Sequence, residues 1–203
     1  EIIKSDEEKA VATSTHLSEL KIEVKNKTLY IQYRPNVSLQ NANTKVVVYA
    51  KDLVKAEAGN ASSIKVKSLF ETAEQTFESN GSGRIVADSK ASVVNINTDS
   101  AGGFSGKINT KNLNVDSNSA SSVKISGSAD NAKINVDSAS SVDAKNMNIQ
   151  TAIATASATS SITLSVSKEL TASASSLAKI RYKTLSGIKF SASRSSGGTI
   201  DSI

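Results

Sequence analysis

One phrase recurs through most of this chain: a few Asn, Asp, Ser, Ala or Gly residues closed by a single apolar side chain. It reads Gly-Asn-Ala-Ser-Ser-Ile64, Asn-Gly-Ser-Gly-Arg-Ile85, Asp-Ser-Ala-Gly-Gly-Phe104, Asn-Ser-Ala-Ser-Ser-Val123 and Asp-Ser-Ala-Ser-Ser-Val142. It continues as Ala-Thr-Ser-Ser-Ile162, Ser-Leu-Ala-Lys-Ile180 and Ser-Gly-Gly-Thr-Ile200. Successive closing residues lie 21, 19, 19, 19, 20, 18 and 20 positions apart. A period near twenty residues makes each repeat one supersecondary unit that buries its apolar side only by stacking on its neighbours.

Around the phrase lie apolar-x-apolar triplets: Ile96-Asn-Thr, Leu113-Asn-Val115, Ile134-Asn-Val136, Ile153-Ala-Thr and Leu170-Thr-Ala before it, Val123-Lys-Ile125 and Val142-Asp-Ala144 after it. Period-two alternation predicts strands of about three to five residues, joined by Gly, Asn, Asp and Ser turns. The predicted fold is all-β: a right-handed parallel β-helix-like solenoid with coils of about 20 residues. A helical repeat needs apolar spacing of three and four, and a left-handed solenoid needs a six-residue beat; neither is regular here. An aromatic share of 4% also suits a narrow interior filled by Val, Ile and Ala rather than by rings. Frequent Val, Ile and Thr separate the chain from disordered sequences.

The whole chain, 1–203, is expected to be a single solenoid domain, with 59–203 as its regular repeats and 1–58 as irregular starting coils or a cap. Within that opening segment Leu20, Ile22 and Val24 alternate, Asn26-Lys27 reads as a turn, Leu29, Ile31 and Tyr33 alternate again, and Lys45–Tyr49 reads as another strand.

The 24 basic and 19 acidic residues are interspersed, with no basic run and no interleaved stacking aromatics, so nucleic acid is not an expected partner. The absence of Cys excludes disulfides and thiolate metal sites. His16 is the sole histidine, which argues against His-based triads and zinc sites and leaves it as a solvated strand or loop residue. No apolar stretch approaches the roughly 20 residues that span a bilayer, so a membrane is expected only through an anchor outside this chain. The chain opens at Glu1 without an initiator Met or a signal peptide, and the terminus does not give the compartment.

The segment Leu17–Val66, "LSELKIEVKNKTLYIQY…KVVVYAKDLVKAEAGNASSIKV", with the repeated S-A-S-S-V phrases and the late "ELTASASSLAKIRYKTLSG", resembles the putative auto-transporter adhesin head GIN family. The order of these phrases carries the resemblance over nearly the whole chain. The resemblance implies a right-handed parallel β-helix-like fold, an outer-membrane, extracellular or other envelope location in a Gram-negative bacterium, and adhesion. It implies no catalytic residues.

Candidate sites follow from the repeat. A column after the second strand of each coil reads Gly59, Asn80, Asp99, Asp116, Asp137, Ala156, Ser173 and Ser193. Stacked Asp99, Asp116 and Asp137 can hold Ca²⁺ or, at about 5 Å, act as an acid and nucleophile pair on a glycan. The same residue types tolerate left-handed backbone and bond their own turns, so the preferred reading is a corner. A lyase also needs a nearby cation, and Arg194 reaches this column only at its far end. The paired glycines Gly81/Gly83, Gly102/Gly103 and Gly197/Gly198 sit in the turn register and do not form a phosphate loop. Lys65, Lys67, Lys124, Lys133, Lys145 and Lys189 face outward as gatekeepers or as a cationic strip for anionic polysaccharide. Tyr49, Phe70 and Tyr182 either stack on sugars or plug the wider coils. No cofactor is expected.

The leading expectation is a non-enzymatic surface protein that adheres to polysaccharide or to a host or surface protein. The alternatives are a carbohydrate-active enzyme using the aspartates, and a structural spacer or assembly module. Unpaired edges at the solenoid ends offer a route to homo-oligomers.

Overall fold

The structure, a computed structural model, describes residues 1–184 and 187–203, and these form two compact units, residues 1–51 and 52–203. In the first, Thr44–Ala50 is the centre of a three-stranded sheet, parallel to Ile2–Lys4 and antiparallel to Lys9–Ser14. Leu20–Lys25 and Thr28–Tyr33 form an antiparallel hairpin. Its turn is Asn26-Lys27, both residues left-handed with φ of 49° and 62°, the geometry whose twist matches the flanking strands. Glu23 accepts ion pairs from Lys21 at 2.8 Å and Lys25 at 3.1 Å, and these lysines hold its carboxyl below the usual range.

Residues 52–203 wind into a parallel β-solenoid, part of a fold of about eight turns with coils of about 19 residues. The residues that close the repeated phrase stack in one unbroken column: Ile64 on Ile85, Ile85 on Phe104, then Val123, Val142, Ile162, Ile180 and Ile200. All but Ile64 are buried. Further inward columns run Val94, Leu113, Ala132, Ala152, Leu170 and Ile96, Val115, Ile134, Ala154, Ala172. Each residue touches its counterparts above and below, so the core is a set of aliphatic rungs.

Two expectations about strands are corrected. The strands are not all short: Gly103–Ser117, Ser122–Val136, Ser141–Ala156 and Ser161–Ala174 span 15, 15, 16 and 14 residues. In these four coils one strand runs on around the bends, because a bend needs only two successive outward residues, such as Asp130 and Asn131, to re-phase the alternation. Gly127 marks the other bend: at φ 114° it passes so close to the coil below that a Cβ would overlap the Ile108 carbonyl. The triplet at Ile153 is also one residue out of phase. Ile153 stacks on Lys133, faces outward and is 50% exposed, while Ala152 and Ala154 face in. A slip of one position exchanges the two faces of a strand.

The four long strands are separated from one another only by a tight turn, and that turn is the repeated phrase. Its two central residues are left-handed in all eight coils: Asn60-Ala61, Gly81-Ser82, Ser100-Ala101, Ser119-Ala120, Ser138-Ala139, Ala158-Thr159, Ser176-Leu177 and Ser196-Gly197. Hydrogen bonds close the turns internally, as from Gly102 N to Asp99 O at 2.9 Å. They also link successive turns, from Ala101 N to Ser119 O, Ala120 N to Ser138 O and Ala139 N to Ala158 O, each 2.9 Å. Small residues dominate the phrase because consecutive left-handed positions stacked this closely leave little room for side chains.

Candidate functional site

The run preceding the turn presents an outward face with three neighbouring columns. One holds Thr76, Asn95, Asn114 and Lys133; the next holds Glu78, Asn97, Asp116 and Asn135; the third holds Val93, Asn112, Asn131 and Thr151. Inward Val, Ile and Leu alternate with these residues and fix their direction, since successive side chains on a strand point to opposite sides. Hydrogen bonds tie the columns lengthwise. Asn114 Nδ2 donates to Asn95 Oδ1 at 2.8 Å, Asn131 Nδ2 to Asn112 Oδ1 at 3.2 Å, and Asn135 Nδ2 to Asp116 Oδ1 at 2.8 Å. Asn95 Nδ2 in turn reaches Glu74 Oε1 at 2.7 Å.

A primary amide carries two donors and an acceptor oxygen with two lone pairs. Asn95 Nδ2 donates to both Glu74 and Thr76, whereas the Asn114, Asn131 and Asn135 ladder bonds each use one N–H and leave the other, with carbonyl lone pairs, facing outward at roughly 4.8 Å along the stack. At the edge of this face a shallow cavity of about 230 Å³ is lined by Glu78, Asn97, Asp99, Asp116 and Asn118 among others.

The predicted aspartate column does not form. Register places Asn118, not Asp116, between Asp99 and Asp137, and the column reads Gly59, Asn80, Asp99, Asn118, Asp137, Ser157, Ser175 and Ser195. Asp99 and Asp137 are therefore two coils apart, roughly 9.6 Å at the sheet spacing, while Asp116 lies two positions earlier between Asn97 and Asn135. The turn, rather than the acid, sets the register. Asp99 and Asp137 serve that turn. Asp137 Oδ1 accepts from Ser138 N and from Ser157 Oγ in the next coil, both at 2.7 Å. The hydroxyls of Ser119 and Ser100 hold the Asp99 carboxyl below its usual range. Among the described residues no three His, Cys, Asp or Glu side chains are grouped to hold a metal ion.

The remaining candidates scatter. Lys65 and Lys124 share a column with two coils between them, Lys133 and Lys189 stand in two columns of the amide face, and Lys145 sits on a bulge, so these lysines form no single strip. Lys67 is exposed just after the short strand Ser63–Lys65. Lys55 is held protonated beyond its ordinary range by Glu78 at 2.7 Å and by Glu57. Phe70 is 1% exposed and fills the interior, which removes it as a sugar platform. Tyr182 is half-buried and stacks on Phe190 at 5.0 Å, and Tyr49 lies beneath the Lys9 ammonium. His16 is half-buried at the start of a 3-10 turn, with Nδ1 3.0 Å from Thr15 Oγ1. Arg194 lies in the last coil and donates to Ile200 O at 2.8 Å. The amide columns were missed by motif reading, yet the period carries their signal: Asn95 and Asn114, like Asn112 and Asn131, are 19 residues apart.

No curated protein sequence is similar enough to this chain to count as a relative. Solved structures share its fold over 100% of this chain. A "putative adhesin" from Parabacteroides merdae ATCC 43184 superposes with a TM-score of 0.88 at 14% identity, covering 86% of that chain. A "putative adhesin" from Parabacteroides distasonis ATCC 8503 gives 0.89 at 16% identity and 87% coverage of that chain. A "putative lipid binding protein" from the same P. distasonis strain gives 0.86 at 18% identity, also with 87% coverage. The profile of the family described as "Putative auto-transporter adhesin, head GIN domain" matches residues 1–184, and the chain belongs to that family.

Proposed function

We propose that this is a non-enzymatic adhesin of the cell surface or envelope, which binds glycan through the amide face of its solenoid. The observation that carries the reading is the set of amides paired from coil to coil, Asn114 on Asn95, Asn131 on Asn112 and Asn135 on Asp116, side by side on one face. Sugars present rows of hydroxyls that act as both donor and acceptor, and fixed amides complement them without having to be ordered on binding. Each contact is weak, but a repeated face engages a repeated polymer many times over. The family name and the names of the similar structures support adhesion. No helix among the described residues is long and apolar enough to cross a membrane.

A glycan array tests the reading. The chain is expected to retain neutral or mixed polysaccharides, and the paired variant Asn114→Ala/Asn131→Ala is expected to lose most of that signal while keeping its β-sheet circular dichroism. Equal retention by the variant, or silence of the array to the wild-type chain, contradicts it. The same polysaccharides incubated with the chain are expected to yield no cleavage products. Product formation that disappears in Asp116→Asn places the chain among carbohydrate-active enzymes instead.

A further inference from the structure

Between the long strands Gly103–Ser117, Ser122–Val136, Ser141–Ala156 and Ser161–Ala174 the coils stack in register except around residues 143–151. Ala144 lies on Leu164 and Ile149 on Val166, so residues 145–148 of one coil stand opposite Ser165 alone in the next. Against the coil before, Lys124 pairs with Asp143 and Ser126 with Asn146, so Ala144 and Lys145 together oppose Ile125. This is a β-bulge, and its cost is a local loss of ladder pairing. Two hydroxyls replace part of what is lost: Ser165 Oγ donates to Lys145 O at 2.7 Å, and Ser167 Oγ donates to Ile149 O at 3.1 Å.

The parting of the coils opens a groove of about 350 Å³, lined by Lys145, Asn146, Asn148, Ser165, Ser167 and Lys183 among others. It lies on the run after the turn, whereas the amide face lies on the run before it. Lys145 projects from the bulge and ion-pairs with Asp143 at 3.3 Å. Lys183 stacks on Ser165 one coil further on, and it has no ion-pair partner among the described residues. The groove thus has two ammonium groups against one carboxylate, and two primary amides that project from a stretch without strand partners on one side. Bulges of this kind re-aim side chains and gather next to binding sites.

We infer that this groove is a subsite for an acidic saccharide. Lys183, assisted by Lys145, takes the carboxylate or sulfate of the sugar, and the Asn146 and Asn148 amides take neighbouring hydroxyls. The inference does not depend on the amide face, because the residues of the two surfaces do not overlap.

The test titrates the whole chain with three probes at low salt: a short oligogalacturonate, its methyl ester, and a sulfated oligosaccharide of similar length. Isothermal titration or amide chemical shifts give the affinity. At least one of the two acidic probes is expected to bind, more weakly as salt rises, and the comparison between them identifies carboxylate or sulfate as the preferred group. Removing the charge with the methyl ester is expected to abolish binding. Lys183→Met is expected to weaken the acidic probe roughly tenfold, the size of a lost charge-assisted contact, and Lys145→Met is expected to weaken it less. Lys133→Met, on the amide face, is expected to leave this titration unchanged. The inference is overturned if neither acidic probe binds, if the methyl ester binds as well as the acid, or if Lys183→Met keeps wild-type affinity. Loss of glycan-array signal on Asn114→Ala/Asn131→Ala with this titration intact separates the two surfaces.

Discussion

Residues in the repeated phrase work mainly through backbone conformation. Ala139 is a clear case: it is exposed, sits at φ 60°, and carries a methyl group that contacts little. An L-residue there costs roughly 1–2 kcal/mol that glycine avoids, offset in part by the greater freedom of glycine in the unfolded chain. Ala139→Gly is therefore expected to stabilise the fold by about 0.5 kcal/mol, read from the midpoint of a urea titration; destabilisation would contradict the account of the turn. Asp99 gives a prediction in pH. Its folded carboxyl titrates below the unfolded value because Ser119 and Ser100 donate to the ionised form. The stability it contributes is thus fully present above the unfolded pKa of about 3.9, and it is lost as pH falls through that value toward the folded pKa. Asp99→Asn is expected to flatten the fall in melting temperature across that acid window, relative to the wild-type chain.

At the scale of the element, each strand belongs to a column, and the cost of a core change is set by the coils on either side. Ile134 is fully buried between Val115 and Ala154. Ile134→Ala is expected to destabilise by about 2–4 kcal/mol, with hydrogen exchange rising first in Gly103–Ser117 and Ser141–Ala156, because repeat units couple to nearest neighbours. Uniform loss of protection out to residues 74–79 would contradict that locality.

The same columns explain what the sequence could reveal. The phrase-closing residues from Ile64 to Ile200 were legible in full, because a turn followed directly by one apolar residue leaves no freedom in phase. The strand before the turn was harder. Apolar residues such as Ile153 stand on its outer side and small Ala152 and Ala154 on its inner side, so hydrophobicity alone mis-sets the face. Asp116 was misplaced for a related reason, since alignment on the acid ignored the two left-handed residues that fix the turn. The bulge after Ala144 was not legible, because four residues facing one is a statement about two coils at once. The Asn columns could have been found by applying the 19-residue period to outward positions as well as inward ones.

At the scale of the whole solenoid, residues 52–203 stack coil on coil in a fixed direction, and both proposed surfaces depend on that stacking. The amide face exists because coil lengths hold near 19 residues. The groove exists because the coil of Ser141–Ala156 carries a bulge at residues 144–148 that the coils on either side lack. Both surfaces therefore require parallel stacking with a register near 19 residues, which a cysteine pair tests cleanly in a chain that has no native cysteine. Asn114 and Lys133 are register partners on the outward face, at a Cα separation near the sheet spacing of about 4.8 Å, which a disulfide accommodates. Lys124 is closer to Asn114 in sequence but belongs to the run after the turn. Under mild oxidation, Asn114→Cys/Lys133→Cys is predicted to close a disulfide readily, and Asn114→Cys/Lys124→Cys to remain reduced. If the second pair closes and the first does not, the coils do not stack in this register, and neither surface exists as described.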